Sequence, residues 1–285
     1  MPDFPIIDSH VHLYDIERLS YPWLAGAPKL NRTALLADFD AARGNVPIAQ
    51  IVFAEVAVAP GQHVAEAEFV QEMADTDKRL TAMIAHAPVE RGAAVEEDLA
   101  RLKKFPILRG IRRLIEVERD PGICLEPAFV NGVRCVGRHG LSFDICVKSW
   151  GLGHAVELVR RCPDVSFVLD HIGKPDIRHG LREPWWTLIA ELARLPNVAV
   201  KLSGVVTEAD HAAWTREQLV PYVAHVIACF GFGRVMYGSD WTVAELTHAY
   251  PTWVEILDSI VAGASADEKR ALYVGTATRV YRLPG

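Results

Sequence analysis

The sequence predicts a closed (β/α)8 barrel of the TIM type, and three observations predict it. Eight short β-rich runs alternate with eight amphipathic stretches along the chain. Such alternation implies parallel strands joined by right-handed crossovers, and 285 residues is a length at which eight of them close into one barrel. Polar residues able to do chemistry stand just past the ends of the runs, where a barrel of this kind collects its site.

The elements follow in order. FPIID (residues 4–8) is the first run, and Asp8, His10 and His12 end it; with a period of two, the two histidines leave on the same side and converge. An irregular segment, residues 13–31, then carries Tyr14, Tyr21 and Trp23, placed either to cover a ligand or to pack on the rim. A helical stretch at 33–43 leads to AQIVFAEV (49–56), which carries Glu55. Helix 64–76 precedes LTAMIAHA (80–87), and helix 93–104 precedes ILRGIRRLI (107–115), which holds Arg112. Helix 127–139 precedes LSFDICV (141–147), with Lys148 at its end, and helix 153–162 precedes VSFVLD (165–170), with Asp170 and His171 at its end. Helix 184–195 precedes VAVKLS (198–203), which carries Lys201 and Ser203. Helix 218–230 precedes RVMYGSD (234–240), which ends in Ser239 and Asp240, and helix 252–263 closes the series. Each helical stretch sets apolar residues at helical spacing against a charged face. An open doubly wound sheet is the competing topology, but no glycine fingerprint follows the first run.

Composition narrows the function. A hydrophobic fraction of 50% and a charged fraction of 23% describe a globular chain with a sizeable core. A formal net charge of −6, with basic clusters as short as Lys103-Lys104, gives no track for nucleic acid. The opening MPDFPIIDSH has no export signal and no stretch is long enough to span a bilayer, so a cytoplasmic protein is expected. Five cysteines without a CxxC pair argue against a disulfide framework or a thiolate zinc site. No GxSxG elbow is present for a serine esterase.

Two imidazoles from the first strand, a third from the sixth and a carboxylate from the eighth make a set, His10, His12, His171 and Asp240, suited to one divalent ion such as Zn²⁺ with a water in the remaining position. The same groups could hold a water without a metal. Here the residues carry a family likeness. Asp-x-His-x-His at the first strand, His171 and Asp240 resemble the amidohydrolase superfamily, amidohydrolase 2 type. More narrowly, DSHVHLYD, YPWL, FDICV, FVLDHIGKPDI, VKLSG and FGFGRVMYGSDW resemble the sugar-lactonase branch of L-fuconolactonases and L-rhamnonolactonases, with 2-pyrone-4,6-dicarboxylate lactonase more distant. The likeness runs from about residue 6 to about residue 282, so one domain over 1–285 is expected.

What the resemblance implies is a lactonase: an enzyme that opens a small-molecule sugar lactone such as L-fucono-lactone to its acid, either with one divalent ion, zinc being the best match, or without any. Arg112 stands where relatives with two metals have a carbamylated lysine, and an arginine cannot be carbamylated, which argues against a binuclear centre. Asp240 is expected to take the proton of water and return it to the leaving alkoxide, and His171 to polarise the carbonyl or bind the ion. His10 and His12 are expected to bind the ion or the substrate, with Asp8 behind them. Arg112 and Lys148 are expected to neutralise oxyanion charge or to serve as ion-paired scaffolding. Glu55 is expected at the substrate or paired with Lys201, and Trp23 and Trp241 are expected to stack on the sugar. Thr242 departs from the proline common in relatives after GSDW, which bears on the substrate rather than on the reaction. A decarboxylase of the same superfamily and a non-catalytic sugar-acid binding barrel are the competing functions, and a homo-oligomer is compatible with all three.

Overall fold

The apolar runs form strands because both faces of each are covered, as parallel sheets require. In the structure, a computed structural model that describes residues 1–284, they are β1 (Ile6–Val11), β2 (Ile48–Ala54), β3 (Leu80–His86), β4 (Leu108–Arg112), β5 (Ser142–Ile145), β6 (Ser166–Leu169), β7 (Val198–Leu202) and β8 (Val235–Tyr237). Each pairs in parallel with the next, in the order β1 to β8. The seam lies just beyond β8, where the His12 N–H donates to the Trp241 carbonyl at 2.6 Å and the Asp240 N–H to the His10 carbonyl at 3.0 Å. The expected (β/α)8 barrel is therefore the observed one.

Outside the strands run α1 (Leu36–Arg43), α2 (His63–Thr76), α3 (Glu96–Leu102), α4 (Pro127–Arg138), α5 (Leu152–Arg161), α6 (Trp185–Ala193), α7 (Arg216–Phe230) and α8 (Tyr250–Ile260). α4 shows why: Pro127 fits the first helical turn, where a missing N–H costs nothing, and Phe129, Val133 and Val136 recur on one face. All three are fully buried, a contribution of about 1.5–3 kcal/mol each.

β1 is longer than the expected run. It continues through His10 to Val11, with a register shift against β2 between Asp8 and Val11. This bulge breaks the alternation, so Asp8 bonds the Tyr250 hydroxyl on α8 at 2.8 Å while His10 faces the barrel interior.

Beyond α8 the chain does something the alternation did not predict. α9 (Ala266–Arg270) runs through a π-helical turn, Ala271–Gly275, into α10 (Thr276–Tyr281). Ala277, Val280, Tyr281 and Leu283 pack with Ile7, Val52, Ile84, Val168 and Met236 of the strands, so the C-terminal segment closes one end of the barrel. Next to this apolar layer lies a charged one: the Tyr281 hydroxyl donates to Asp144 Oδ2 at 2.7 Å, and Lys201 Nζ reaches Asp144 at 2.7 Å and Asp170 at 3.0 Å.

Candidate active site

A cavity of about 250 Å³ opens where the strands end at their C-termini. Asp240 lies at its floor, held in a left-handed conformation (φ 61°) by the loop that follows β8. Its Oδ1 is 3.4 Å from His12 Nε2 and 3.7 Å from His10 Nε2, and its Oδ2 is 3.9 Å from His171 Nδ1. Burial alone would raise the Asp240 carboxyl, but His171, His12 and His10 outweigh it and hold the group well below the usual carboxylate range.

Each imidazole is fixed by a different neighbour. His12 Nδ1 lies 2.9 Å from the Ala54 carbonyl, which can only accept, so in the neutral ring the proton is on Nδ1 and Nε2 is bare. His12 Nε2 and Asp240 Oδ1 are then two acceptors face to face, an arrangement satisfied by a water donating to both or by a cation. His171, also left-handed (φ 52°), shares a 2.9 Å hydrogen bond between Nδ1 and Ser203 Oγ. Burial pushes its pKa down to about 4 despite Asp240 nearby. Gly204 makes room for this pair: a Cβ there would stand 2.6 Å from His171 Nδ1 and 2.9 Å from Asp240 Oδ2. His10 has Arg112 Nη1 at 3.2 Å from Nε2, and both Asp170 Oδ1 (3.4 Å) and Lys201 Nζ (3.2 Å) beside Nδ1. Burial takes it well below the ordinary histidine range.

Asp8 acts from behind. Its carboxylate accepts from the Ser239 N–H at 2.9 Å and from Tyr250, tying β1 to the loop that bears Asp240. Burial nevertheless pushes it up to about 6.

Several expected residues have other places. Glu55 pairs with Arg112 (2.8 Å) and not with Lys201, whose partners are Asp144 and Asp170. The reason is position: Glu55 follows β2 at the cavity, whereas Lys201 belongs to the charged layer next to the α10 plug. Arg112 donates through Nε to Glu55, through Nη1 to His10 and Asp170, and through Nη2 to the Glu55 carbonyl, which leaves one of its five N–H groups for a ligand. Burial lowers its pKa, but Glu55 and Asp170 reverse this and raise it. Lys148 is exposed and lines a neighbouring hollow instead of the cavity. Trp241 is fully buried at the β8–β1 seam, edge-on to Phe39 with its indole N–H on Glu245 at 2.7 Å, so it offers no face to a sugar. Trp23 does line the cavity, anchored by a 2.7 Å bond to the Val56 carbonyl, whereas Tyr14 and Tyr21 of the same loop are buried packing.

For a metal, the four expected ligands do not form one set. His10, His12 and Asp240 bring ligand atoms within 4.8 Å of one another, and His10, Asp170 and His171 form a second such group. The first group is the one that fits a divalent ion, since Asp240 is ionised and the neutral His12 ring turns Nε2 toward it, but an ion there would have to take His10 Nε2 from Arg112 Nη1, 3.2 Å away. A second ion does not fit beside it, because the second group shares His10 and the Arg112 guanidinium stands 3.1 Å from Asp170.

The cavity also contains residues that sequence reasoning missed. Lys174 Nζ bonds Glu116 Oε2 at 2.6 Å, and Cys146 Sγ lies 3.4 Å from Glu116 Oε1, all three lining the cavity. The only signal for Lys174 was its place after His171 in HIGKPD, and the left-handed turn through His171, Ile172 and Lys174 that aims it is invisible to periodicity.

Comparison with known proteins identifies the family. The family profile described as Amidohydrolase matches residues 7–283. An L-fucono-1,5-lactonase from Burkholderia multivorans is 31% identical, over 98% of this chain and 96% of that one. An uncharacterized protein, y4mH, from Sinorhizobium fredii is 31% identical over 99% of this chain and 100% of its own length. A crystal structure of an amidohydrolase from Burkholderia multivorans with bound zinc superposes with a TM-score of 0.88 at 28% identity, covering 99% of this chain and 100% of that one.

Proposed function

Because the chain belongs to the amidohydrolase family, we propose that it is a lactonase, and that its substrate is a sugar (aldono)lactone such as L-fucono-lactone, opened to the acid. The observation that carries this is the pair of facing acceptors, Asp240 Oδ1 and His12 Nε2, 3.4 Å apart at the floor of a cavity sized for one ring. The likeness to L-fucono-1,5-lactonases supports the substrate class. So does the cavity wall, where Val56, Leu114, Val117 and Val243 suit the methyl group of a 6-deoxy sugar.

In this reading a water donates one hydrogen to Asp240 and the other to His12. Its oxygen attacks the lactone carbonyl carbon as Asp240 takes the proton. His171, neutral and with Nδ1 occupied by Ser203, turns Nε2–H toward the carbonyl oxygen, and Arg112 adds its one remaining N–H. Collapse breaks the bond between the carbonyl carbon and the ring oxygen, and Asp240 returns the proton to the leaving alkoxide. The acid product then ionises, releasing one proton to solvent at neutral pH. Glu55 orients Arg112, and Trp23 forms one wall. His10, His12 and Asp240 would hold a divalent ion, which when bound supplies a Lewis acid for the carbonyl or for water.

The test is proton release from a panel of five- and six-membered aldonolactones, with Asp240→Asn and with chelation followed by zinc. Turnover that falls about 10³-fold or more in Asp240→Asn is expected, on the scale of losing a catalytic group. Silence across the panel from folded, zinc-supplied protein, or full activity in Asp240→Asn, overturns the reading. Release of carbon dioxide from a carboxylated ring substrate would install the decarboxylase in its place.

A further inference from the structure

Beside the catalytic cavity lies a second hollow of about 570 Å³, and Lys174 lines both. The Lys174 ammonium bonds Glu116 at 2.6 Å, on the wall of the inner cavity, and lies 3.9 Å from Glu208, on the wall of the outer one. The carbonyl of Lys174 accepts from the Ser149 N–H at 3.1 Å, so the loops after β5, β6 and β7 meet at this residue. Lys174 is thus shared by the two walls and stands between the cavity that holds Asp240 and the outer hollow.

The lining of the outer hollow states what such an extension is made of. Trp150, 55% exposed, offers a flat apolar face, and Lys148 an exposed ammonium. Beside them the carboxylates of Asp176, Glu208 and Asp210 alternate with cations, Arg178 lying 3.7 Å from Asp210 and Lys174 3.9 Å from Glu208. With both signs interleaved, neither an anion nor a cation is matched across the hollow, and a hydrocarbon would cover charged groups with apolar surface. A neutral sugar ring satisfies all of them: its hydroxyls donate to the carboxylates and accept from lysine, while its C–H face lies on the indole. The inner cavity, at about 250 Å³, has room for the lactone ring only.

We propose that the outer hollow is a second sugar subsite, and that the substrates include lactones of glycosylated aldonic acids. The lactone ring sits at Asp240 and the glycosyl unit lies beyond Lys174 against Trp150. Only the ring ester is cleaved, and the glycosidic bond is untouched. This inference rests on the lactonase reading.

The experiment pairs aldono-1,5-lactones with the same lactones bearing one glycosyl group at each available hydroxyl. The ratio of kcat/KM, glycosylated over plain, is measured for wild type and for Trp150→Ala, with Lys148→Met as a second variant. At least one glycosylated lactone is expected to be opened with a ratio above one, and Trp150→Ala to lower that ratio about tenfold. Turnover of plain lactones with every glycosylated one refused, or a ratio unmoved in both variants, overturns the subsite. If no lactone of either kind is opened, the lactonase reading falls and the hollow is judged by calorimetric titration with disaccharide aldonates. Binding weakened by Trp150→Ala supports the subsite, and absence of binding overturns it.

Discussion

Gly204→Ala probes the site without substituting any charged group. Ordinary contacts to a Cβ begin near 3.4 Å, and this one would stand 2.6 Å from His171 Nδ1, so the ring must retreat by about 0.8 Å or the backbone must move. The Asp240 carboxylate, at 2.9 Å, is pressed from the same side. A misplacement of this order costs about 10²-fold in rate when the displaced group must meet a reacting atom. Gly204 is also left-handed (φ 57°), which adds a backbone penalty of about 1–2 kcal/mol for alanine. Gly140 separates the two effects, because it is left-handed as well (φ 70°) but has nothing within 4 Å of the added atom. Both variants are expected to lose about 2–8 °C in Tm. Only Gly204→Ala is expected to lose about 10²-fold in kcat, measured by proton release from the best lactone of the panel. A folded Gly204→Ala within twofold of wild type, or an equal loss of activity in Gly140→Ala, would refute the assignment of His171 and Asp240 to one reacting centre.

Two further outcomes concern stability. Lys201→Met leaves Asp144 and Asp170 buried without their shared ammonium, and a cost of about 3–5 kcal/mol is expected in urea unfolding; a cost below about 1 kcal/mol would show that Lys201 does not hold the charged layer together. Glu66 is buried, with its Oε1 accepting the Val56 N–H at 3.2 Å, and burial followed by the Glu55 charge raises its carboxyl well above the ordinary value of 4.5. Below 4.5 the group is protonated in both folded and unfolded chains, so its contribution is whole there; as pH rises from 4.5 toward the folded value, only the unfolded chain releases the proton, and stability is lost. Glu66→Gln removes this dependence, so its advantage over wild type is expected to grow with pH by up to about 1.4 kcal/mol per unit. Parallel Tm profiles for the two proteins between pH 4 and 8, read in steps of about one unit, would contradict the protonated state.

The barrel was legible because its strands are buried on both faces and therefore stand out as apolar runs, and because strand and helix alternate without interruption. The gathering of His10, His12, His171 and Asp240 at one mouth was legible for a related reason: once the strands are placed, their C-terminal ends must converge. Partner choice was not legible. Glu55 meets Arg112 and not Lys201 because the two acceptable cations differ by their depth along the barrel axis, and depth depends on stagger between strands. Trp241 looked like a stacking surface because it follows Asp240, yet the seam hydrogen bond from His12 to its carbonyl turns that segment into wall. Lys174 was hidden by four consecutive residues at positive φ, His171, Ile172, Gly173 and Lys174. α10 was hidden because a further helix beyond α8 has no place in an eightfold alternation.

The plug formed by α10 also sets an order of events during synthesis. Residues 276–283 leave the ribosome after all eight strands, so a nascent barrel complete in its sheet still has Ile7, Val52, Val168 and Met236 open to solvent at one end. Asp144, at the head of the buried charges that reach His10 through Lys201, lacks its Tyr281 hydroxyl until the same moment. Arrival of the tail therefore covers one end of the barrel and brings the Tyr281 hydroxyl to Asp144, so the charged layer beneath His10 is completed by the last part of the chain to be made.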